Sequence, residues 1–326
     1  MKAVFAAGTA NLGDELNEWI WPALIGDIHQ DNVAVLGIGT LLNKPFCRRL
    51  DDARRILVLG TGAGYGTVPT IDNRWSFHAV RGLRTASALG LDPDRAVADA
   101  AYLLASLDWN PVHGQRSDVV VVPHHRSLRY VNWERICERA GVRFLSPLLP
   151  AAEFMRAIAR ARLVLTEAMH GAILADIARV PWQGFGFGGQ FNEEKWLDWA
   201  EMFGLDLQIR YLPGYYDPAL FSESRPWRYH AAKLVKVRMS RIGLGREKWQ
   251  RLTLPSFRPD KSADRLACQL RALSGLPGML SDDHVMRERV DQLYERVDEL
   301  RAELKATPAR RLEGDGISFL NTLEGA

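Results

Sequence analysis

The chain has 326 residues, of which 47% are hydrophobic and 25% are charged, and its formal net charge is +3 at pH 7. This composition is that of a globular protein with ample material for a core, and it excludes a disordered chain. The length predicts two compact units, because single cores rarely grow beyond about 250 to 300 residues. Three cysteines, far apart in the sequence, predict neither a disulfide framework nor a zinc site.

The amino terminus offers no pattern of a secretory signal. One lysine is followed by only five apolar residues before Gly8, which is too short for the apolar region of such a signal. No apolar run reaches the roughly 18 residues of a membrane span. We therefore expect a cytoplasmic chain, whose only membrane contact would be peripheral, on the inner face of the plasma membrane.

The first part of the chain alternates between strand and helix patterns. Short runs rich in Val, Ile and Leu recur as MKAVFAA, NVAVLGIG and RRILVLGTG, and each ends at a turn. Such runs are typical of parallel strands buried on both faces. Helical patterns lie at 14–25 and 84–89. We predict a Rossmann-like domain over residues 1–110.

The alternation restarts after the polar stretch WNPVHGQRSD, with four consecutive valines in SDVVVVPHH. Helices are predicted at 132–140 and 151–161, and strands at 142–145, at 163–171 and in PWQGFG. These elements form a second Rossmann-like domain, 111–205. Two such units in series predict an α/β fold in which two Rossmann-like domains face each other across a cleft, as in GT-B glycosyltransferase-like folds, with a helical extension at the carboxyl end.

A basic segment lies within the predicted extension, 206–281. Residues 225–251 carry nine Lys or Arg and one acidic residue, Glu247. A solvated basic face explains this segment, and so does attraction to anionic lipid head groups aided by neighbouring Trp and Tyr rings. No nucleic-acid reading motif accompanies the charge, so no nucleic-acid partner is expected.

The final segment, 282–326, begins with a heptad pattern. Apolar residues spaced by 3, 4, 3 and 4 positions are Val290, Leu293, Val297, Leu300 and Leu304. This seam predicts a helix that either docks on its own chain or forms a two-stranded coiled coil and hence a homodimer. Both alternatives stay open at this point.

Two clusters in the first predicted domain are candidates for binding an anion. Asn11, Gly13 and Asp14 lie in the turn GTANLGDE before the first helix, whose amino terminus could bind phosphate. A plain tight turn is the alternative. Arg81 and Arg84 follow a predicted strand, and a guanidinium matches the two oxygens of a carboxylate or phosphate. Surface salt bridges are the alternative for both arginines.

A third cluster, His124, His125 and Arg126, follows the four valines. Adjacent residues of a strand point to opposite faces, so at most one of the two imidazoles is expected to meet a substrate. No carboxylate stands at the helical spacing that a metal site would need, so no metal is predicted.

The strongest local signal is the segment TEAMHGA at 166–172. Glu167 and His170 stand three residues apart, and Gly171 follows the imidazole directly. This arrangement allows close substrate approach and proton transfer near neutral pH. Further along, Lys195 lies among acidic and aromatic residues in FNEEKWLDW, where the rings could stack on a sugar or pack in the core.

Taken together, these blocks resemble the polysaccharide pyruvyl transferases, in content and in order. The matching blocks are Asn11-Leu12-Gly13-Asp14, Val80-Arg81-Gly82 with Thr85 and Gly90, Asp99-Ala100-Ala101, Pro123-His124-His125, Glu167-Ala168-Met169-His170-Gly171 and Lys195-Trp196-Leu197-Asp198-Trp199. The resemblance covers about residues 1–200 and is greatest to the branch associated with succinoglycan-type exopolysaccharides. Many members have Arg-Leu-His where this chain has Ala168-Met169-His170, so the arginine contributed there is absent.

The resemblance implies an enzyme that moves pyruvate from phosphoenolpyruvate onto a sugar of a surface glycan, with no cofactor besides that donor. It implies His170 as the first candidate for the acid that protonates the donor methylene, and His125 as the second. Glu167 would hold the imidazole or act as a base. The residues left for the anion clamp are Arg81, Arg84, Arg126 and Lys195.

Two other classes fit the same sequence. A GT-B glycosyltransferase would share the twin domains but would bind a nucleotide sugar. A non-catalytic glycan-binding protein would need neither His170 nor the arginines. For the pyruvyltransferase, the expected acceptor is a sugar of a lipid-linked oligosaccharide.

Overall fold

The computed structural model describes residues 2–3, 12–26, 32–107, 116–189, 191–220, 227–244, 252 and 258–305. In these ranges the chain forms two parallel β-sheets with helices packed against them and further helices at its carboxyl end. The predicted α/β class is confirmed. The predicted boundary between the two domains, at residue 110, lies outside the described residues.

The first sheet has four strands in the order of the sequence. They are β1 (Lys2–Ala3), β2 (Val33–Leu36), β3 (Arg55–Leu59) and β4 (Trp75–Ala79). The helices of this part are α1 (Leu12–Ile25), α2 (Lys44–Cys47) and α3 (Leu83–Leu89), joined by 3₁₀ turns at Arg48–Leu50, Pro93–Arg95 and Ala100–Ser106. All strand pairs are parallel.

The second sheet has five strands in the order β6-β5-β7-β8-β9. They are β5 (Asp118–Val122), β6 (Arg143–Phe144), β7 (Ala161–Thr166), β8 (Trp182–Gly186) and β9 (Arg210–Tyr211). Its helices are α4 (Trp133–Ala140), α5 (Ala151–Ala159), α6 (Met169–Ile177) and α7 (Glu193–Ala200), with 3₁₀ turns at Ser127–Arg129, Glu201–Phe203 and Pro218–Leu220. The carboxyl-terminal helices are α8 (Trp227–Arg241), α9 (Pro259–Ser274) and α10 (Asp283–Lys305).

The four valines of β5 show how the second sheet is buried on both faces. Val120 and Val122 belong to a large core cluster that also contains the first sheet, whereas Val119 and Val121 belong to a second cluster with α4 and α9. Because side chains alternate across a strand, a run of four apolar residues fills two cores at once. The first of these cores joins the two sheets into one packed body.

The heptad helix α10 docks on its own chain. Leu293, Val297, Leu300 and Leu304 are buried in the core cluster that contains the first sheet. The seam spacing is the same for a partner in the same chain and for a second copy, and here the same chain fills it. The homodimer alternative therefore has no free seam on the described part of α10, and residues 306–326 of the predicted tail lie outside the described ranges.

The predicted strand at 163–171 is too long at its carboxyl end. Strand β7 ends at Thr166, and α6 begins at Met169 after a two-residue turn. His170 therefore lies in the first turn of a helix and not at the end of a strand. None of the helices within the described ranges combines the length and the hydropathy of a membrane span.

Candidate functional site

A cavity of about 380 Å³ opens between the two sheets, at the carboxyl ends of their strands. The first sheet contributes Gly39 to Leu41 and Tyr65, which follow β2 and β3. The second sheet contributes the segments 124–126 and 168–171, together with Lys195 of α7. In parallel α/β sheets this edge is where ligands bind, and the volume is within the usual range for small-molecule sites.

His170 lies on the wall of this cavity and is fixed by residues of the first half of the chain. Its ring packs against Gly13 of α1, where an added Cβ would collide with the ring. Its Nε2 lies 3.7 Å from Oδ2 of Asp99, which is fully buried, while the histidine side chain keeps 13% exposure. Neither of these two atoms has a hydrogen-bond partner among the described residues. The imidazole thus lies between the cavity and the buried carboxylate of Asp99.

Asp99 also caps a 3₁₀ helix, and this contact fixes the direction of its carboxylate. Its Oδ1 accepts a hydrogen bond of 3.1 Å from the backbone N–H of Ala101 and so caps the 3₁₀ helix Ala100–Ser106. With Oδ1 held in the cap, Oδ2 is directed at His170. The sequence offered Asp99 only as part of a family block; its relation to His170 requires the packing of the two sheets.

Lys195 and Tyr65 form a pair in the cavity wall. The Lys195 Nζ donates to the Tyr65 hydroxyl at 3.2 Å and lies 5.6 Å from the centre of its ring. Burial acts to raise the pKa of the Tyr65 phenol, but the positive charges of Lys195, Arg126 and Arg81 outweigh it and lower the pKa below its usual value of 10.0. Sequence reasoning missed Tyr65; its only signal was its position between Gly64 and Gly66 in the glycine cluster after β3.

The two histidines after β5 both line the same wall, with ring centres 4.2 Å apart. The strand alternation from which only one was expected to face the cavity does not apply to them, because β5 ends at Val122. Burial, reinforced by Lys195, His125 and Arg126, lowers the pKa of His124 from 6.5 to about 2. Burial, reinforced by Arg126, Arg129 and Lys195, lowers the pKa of His125 from 6.5 to about 4. Both imidazoles are therefore neutral at neutral pH, because burial and the cations around them both oppose a positive charge on the ring. The same field attracts an anion.

Glu167 is buried beneath this loop and does not line the cavity. Its Oε2 accepts a hydrogen bond of 2.8 Å from the backbone N–H of His124 and another of 2.8 Å from the hydroxyl of Ser127. The carboxylate therefore holds the loop that carries His124, His125 and Arg126. It is the buried Asp99, and not Glu167, that faces the His170 imidazole.

Arg81 is fully buried behind the cavity wall. Its Nε and Nη2 bond to Oδ2 of Asp198, both at 3.0 Å. Its Nη1 donates to the Thr40 hydroxyl at 3.1 Å, and its Nη2 donates to the Ala63 carbonyl at 2.7 Å. Thr40 lines the cavity, and Asp198 lies one helical turn after Lys195 on α7. The guanidinium thus ties the loops of the first sheet to the helix that carries Lys195.

Arg84 lies on the surface, away from the cavity lining. It pairs with Glu194 at 2.8 Å and with Glu201 at 2.5 Å. These contacts match the surface salt bridge that sequence reasoning kept as the alternative.

Of the remaining candidates, Arg126 and Gly171 line the cavity, whereas Asn11 and the side chain of Asp14 are not described. Arg126 is exposed and lines the cavity. Gly171 also lines it, and an added Cβ there would meet the hydroxyl of Thr166 at 2.5 Å, so the glycine lets α6 start close to the end of β7. Asn11 and the side chain of Asp14 lie outside the described residues. Within the described ranges no group of three His, Cys, Asp or Glu residues could hold a metal ion.

The fold and the site define an α/β protein with a cavity between two parallel sheets whose lining includes Arg126 and Lys195. Residues 11–186 match the sequence profile of the family described as Polysaccharide pyruvyl transferase. The chain belongs to the polysaccharide pyruvyl transferase family, which confirms the family resemblance found in the sequence.

Two individual proteins are similar to this chain, one in sequence and one distantly in structure. Succinoglycan biosynthesis protein ExoV of Rhizobium meliloti (strain 1021) is 35% identical over 207 residues, which cover 62% of this chain and 65% of that protein, less than two thirds of its length. A distant structural match is the H444N variant of the wall teichoic acid polymerase TagF, with a TM-score of 0.28 and 11% identity over 82% of this chain and 74% of that one. A TM-score this low does not indicate a shared fold.

Proposed function

We propose that this chain is a ketal pyruvyltransferase that moves pyruvate from phosphoenolpyruvate onto a sugar of a lipid-linked exopolysaccharide or other surface glycan. The observation that carries the proposal is the cavity wall in which Lys195 and Arg126 stand beside His170, with Asp99 behind the imidazole. In this proposal the two sheets belong to two Rossmann-like domains facing each other across the cavity. The reaction takes place in the cytoplasm, at the inner face of the plasma membrane.

Donor binding falls to Lys195 and Arg126. Phosphoenolpyruvate carries a phosphate and a carboxylate, and each charge-assisted hydrogen bond to such a group contributes about 1.5 to 3 kcal/mol. Lys195 and Arg126 also replace the arginine that many family members have at the position of Ala168. His124 and His125, neutral beside these cations, can donate hydrogen bonds to the bound anion without adding charge.

Proton transfer falls to His170, because the low pKa of His125, about 4, makes it a poor proton donor near neutral pH. The His170 imidazolium gives a proton to C3 of the donor, and a cationic centre develops at C2. The first sugar hydroxyl attacks C2 and loses its proton, which returns to His170. Phosphate then leaves, and the second hydroxyl attacks C2 and closes the ketal while its proton leaves with the phosphate. The sum is one ketal and one inorganic phosphate for each donor consumed.

Tyr65 is our candidate for the group that takes the proton of the second sugar hydroxyl during attack and passes it to the departing phosphate. Its hydroxyl lies in the cavity wall, and Lys195 stabilises the phenolate through a direct hydrogen bond. A phenol whose pKa is lowered exchanges protons more readily near neutral pH. In this role Lys195 would serve the donor and the acceptor together.

The test is an incubation of the purified chain with phosphoenolpyruvate and lipid-linked oligosaccharides, followed by mass spectrometry of the oligosaccharide. The expected product carries one pyruvate ketal and appears together with inorganic phosphate. In deuterium oxide the new methyl group should contain one deuterium, because C3 takes its proton from an exchangeable side chain. Consumption of a nucleotide sugar without any pyruvate adduct would contradict the proposal and favour a glycosyltransferase.

A further inference from the structure

Helix α8 and the turn after it expose an unusual number of large aliphatic side chains. The exposed fractions are 42% for Leu234, 55% for Val235, 39% for Met239, 71% for Ile242 and 59% for Leu244. We call these five residues the α8 patch. They lie within 11 residues of sequence, whereas exposed apolar side chains on soluble proteins are normally scattered.

Helical geometry shows that the patch faces away from the rest of the protein. The buried side chains of α8 include Val237 and Ser240, which lie three residues apart on one face. Val235 and Met239 follow the spacing i, i+4 and therefore share a face, and Ile242 follows in the turn directly after the helix. At 100° per residue this face is centred opposite the buried one. The apolar side chains are thus outside, where a core-facing helix would have polar residues.

The charge around the patch is of one sign. Arg238 and Arg241 are exposed on α8 beside the patch. The sequence contains no acidic residue between Glu223 and Glu247, so all charged side chains of α8 are basic. An apolar face bordered by basic side chains and free of acidic ones is typical of helices that lie in the interface of an anionic membrane.

We propose that the α8 patch inserts into the surface of an anionic lipid bilayer, with Arg238 and Arg241 bound to lipid phosphates. A second copy of this chain fits the patch less well, because two purely basic helices would face each other with like charges. The inference does not depend on pyruvyl transfer. Vesicle binding without donor or acceptor therefore tests it separately from the proposed function.

The experiment is cosedimentation of the full chain with vesicles of phosphatidylcholine, with and without phosphatidylglycerol. We expect binding to the phosphatidylglycerol vesicles that weakens as salt is added, since the lipid charge is screened. Replacing Arg238 and Arg241 by Gln should weaken binding about fivefold for each residue. Replacing Val235 and Ile242 by Gln should weaken it by about tenfold or more, because burial of each aliphatic side chain is lost.

Matched controls use equivalent residues away from α8. Leu276 is 43% exposed and Arg143 is 55% exposed, so Leu276→Gln and Arg143→Gln change the same chemistry on another surface. Both should bind like the unaltered chain, and all variants should keep its melting temperature. Equal sedimentation with both kinds of vesicle, or unchanged binding by the Val235→Gln, Ile242→Gln variant, would overturn the proposal. So would a stable dimer in the absence of lipid that the same variant abolishes.

Discussion

Replacement of Arg81 should destabilise the fold far more than it weakens direct contact with the donor. In the Arg81→Met variant, Asp198 stays buried at 3% side-chain exposure without its cation. Removal of one partner of a buried ion pair costs about 3 to 5 kcal/mol. The lost bonds to Thr40 and Ala63 are included in this range, since the whole guanidinium is removed. The free energy of unfolding, measured with urea and followed by tryptophan fluorescence, should fall by this amount.

Two further variants separate a structural role of Arg81 from a role in donor binding. Arg84→Gln removes two exposed ion pairs, each of which contributes at most about 1 kcal/mol, and should change stability much less than Arg81→Met does and leave donor affinity nearly unchanged. The double variant Arg81→Met, Asp198→Asn removes the stranded charge, while the amide oxygen can still accept from the backbone N–H of Thr85. It should recover a large part of the lost stability.

The same preparations should be titrated with phosphoenolpyruvate by calorimetry at a temperature where each variant is folded. Normal stability of Arg81→Met together with a donor affinity reduced tenfold or more would refute the structural argument. That result would return Arg81 to the anion clamp, as the sequence alone predicted.

Three further predictions concern the cavity wall. Gly13→Ala should lower turnover with little loss of stability, because the added methyl displaces the His170 ring, and Gly13→Ser should do the same; normal turnover in both would contradict the packing. Asp99→Asn keeps the cap on its 3₁₀ helix but removes the negative charge next to His170, so kcat should fall and its pH profile should shift. An unchanged pH profile would show that Asp99 does not act on His170. The free energy of unfolding should decrease as the pH falls below about 6.5, because His124 and His125 become protonated more readily in the unfolded chain than in the folded one, with folded-state pKa values of about 2 and 4. Chemical denaturation across this range checks it, and stability that stays constant in the unaltered chain would show that these histidines are not buried as described.

The strands buried on both faces were predictable from the sequence because such strands consist of continuous runs of apolar residues. The runs of β2, β3 and β5 met this condition. Strand β4 has the sequence WSFHA, which contains no apolar run and alternates between apolar and polar residues over only five positions, and its first three residues are only partly buried. It exists because β3 pairs with it on one side and α10 covers it. Neither of these contacts is visible in the local sequence.

The candidate residues were predictable as types but not as roles. Sequence placed Arg81 and Arg84 together, yet their partners lie more than 100 residues away on α7 and beyond it, so one arginine is buried and the other is exposed. In the same way, Glu167 was the carboxylate nearest to His170 in sequence, and Asp99 is the one that faces it in space. Long-range packing decides which charges meet, and local spacing does not contain that information.

In the proposed reaction, His170 delivers the proton that makes phosphoenolpyruvate a pyruvyl donor. Its most direct test is the turnover of His170→Gln at saturating donor, measured as ketal formation and compared with the unaltered chain. Glutamine is similar in size but cannot deliver a proton at neutral pH. We expect turnover to fall by a factor of about 10² to 10⁴, with donor affinity and melting temperature nearly unchanged. Normal turnover by the folded variant would contradict it.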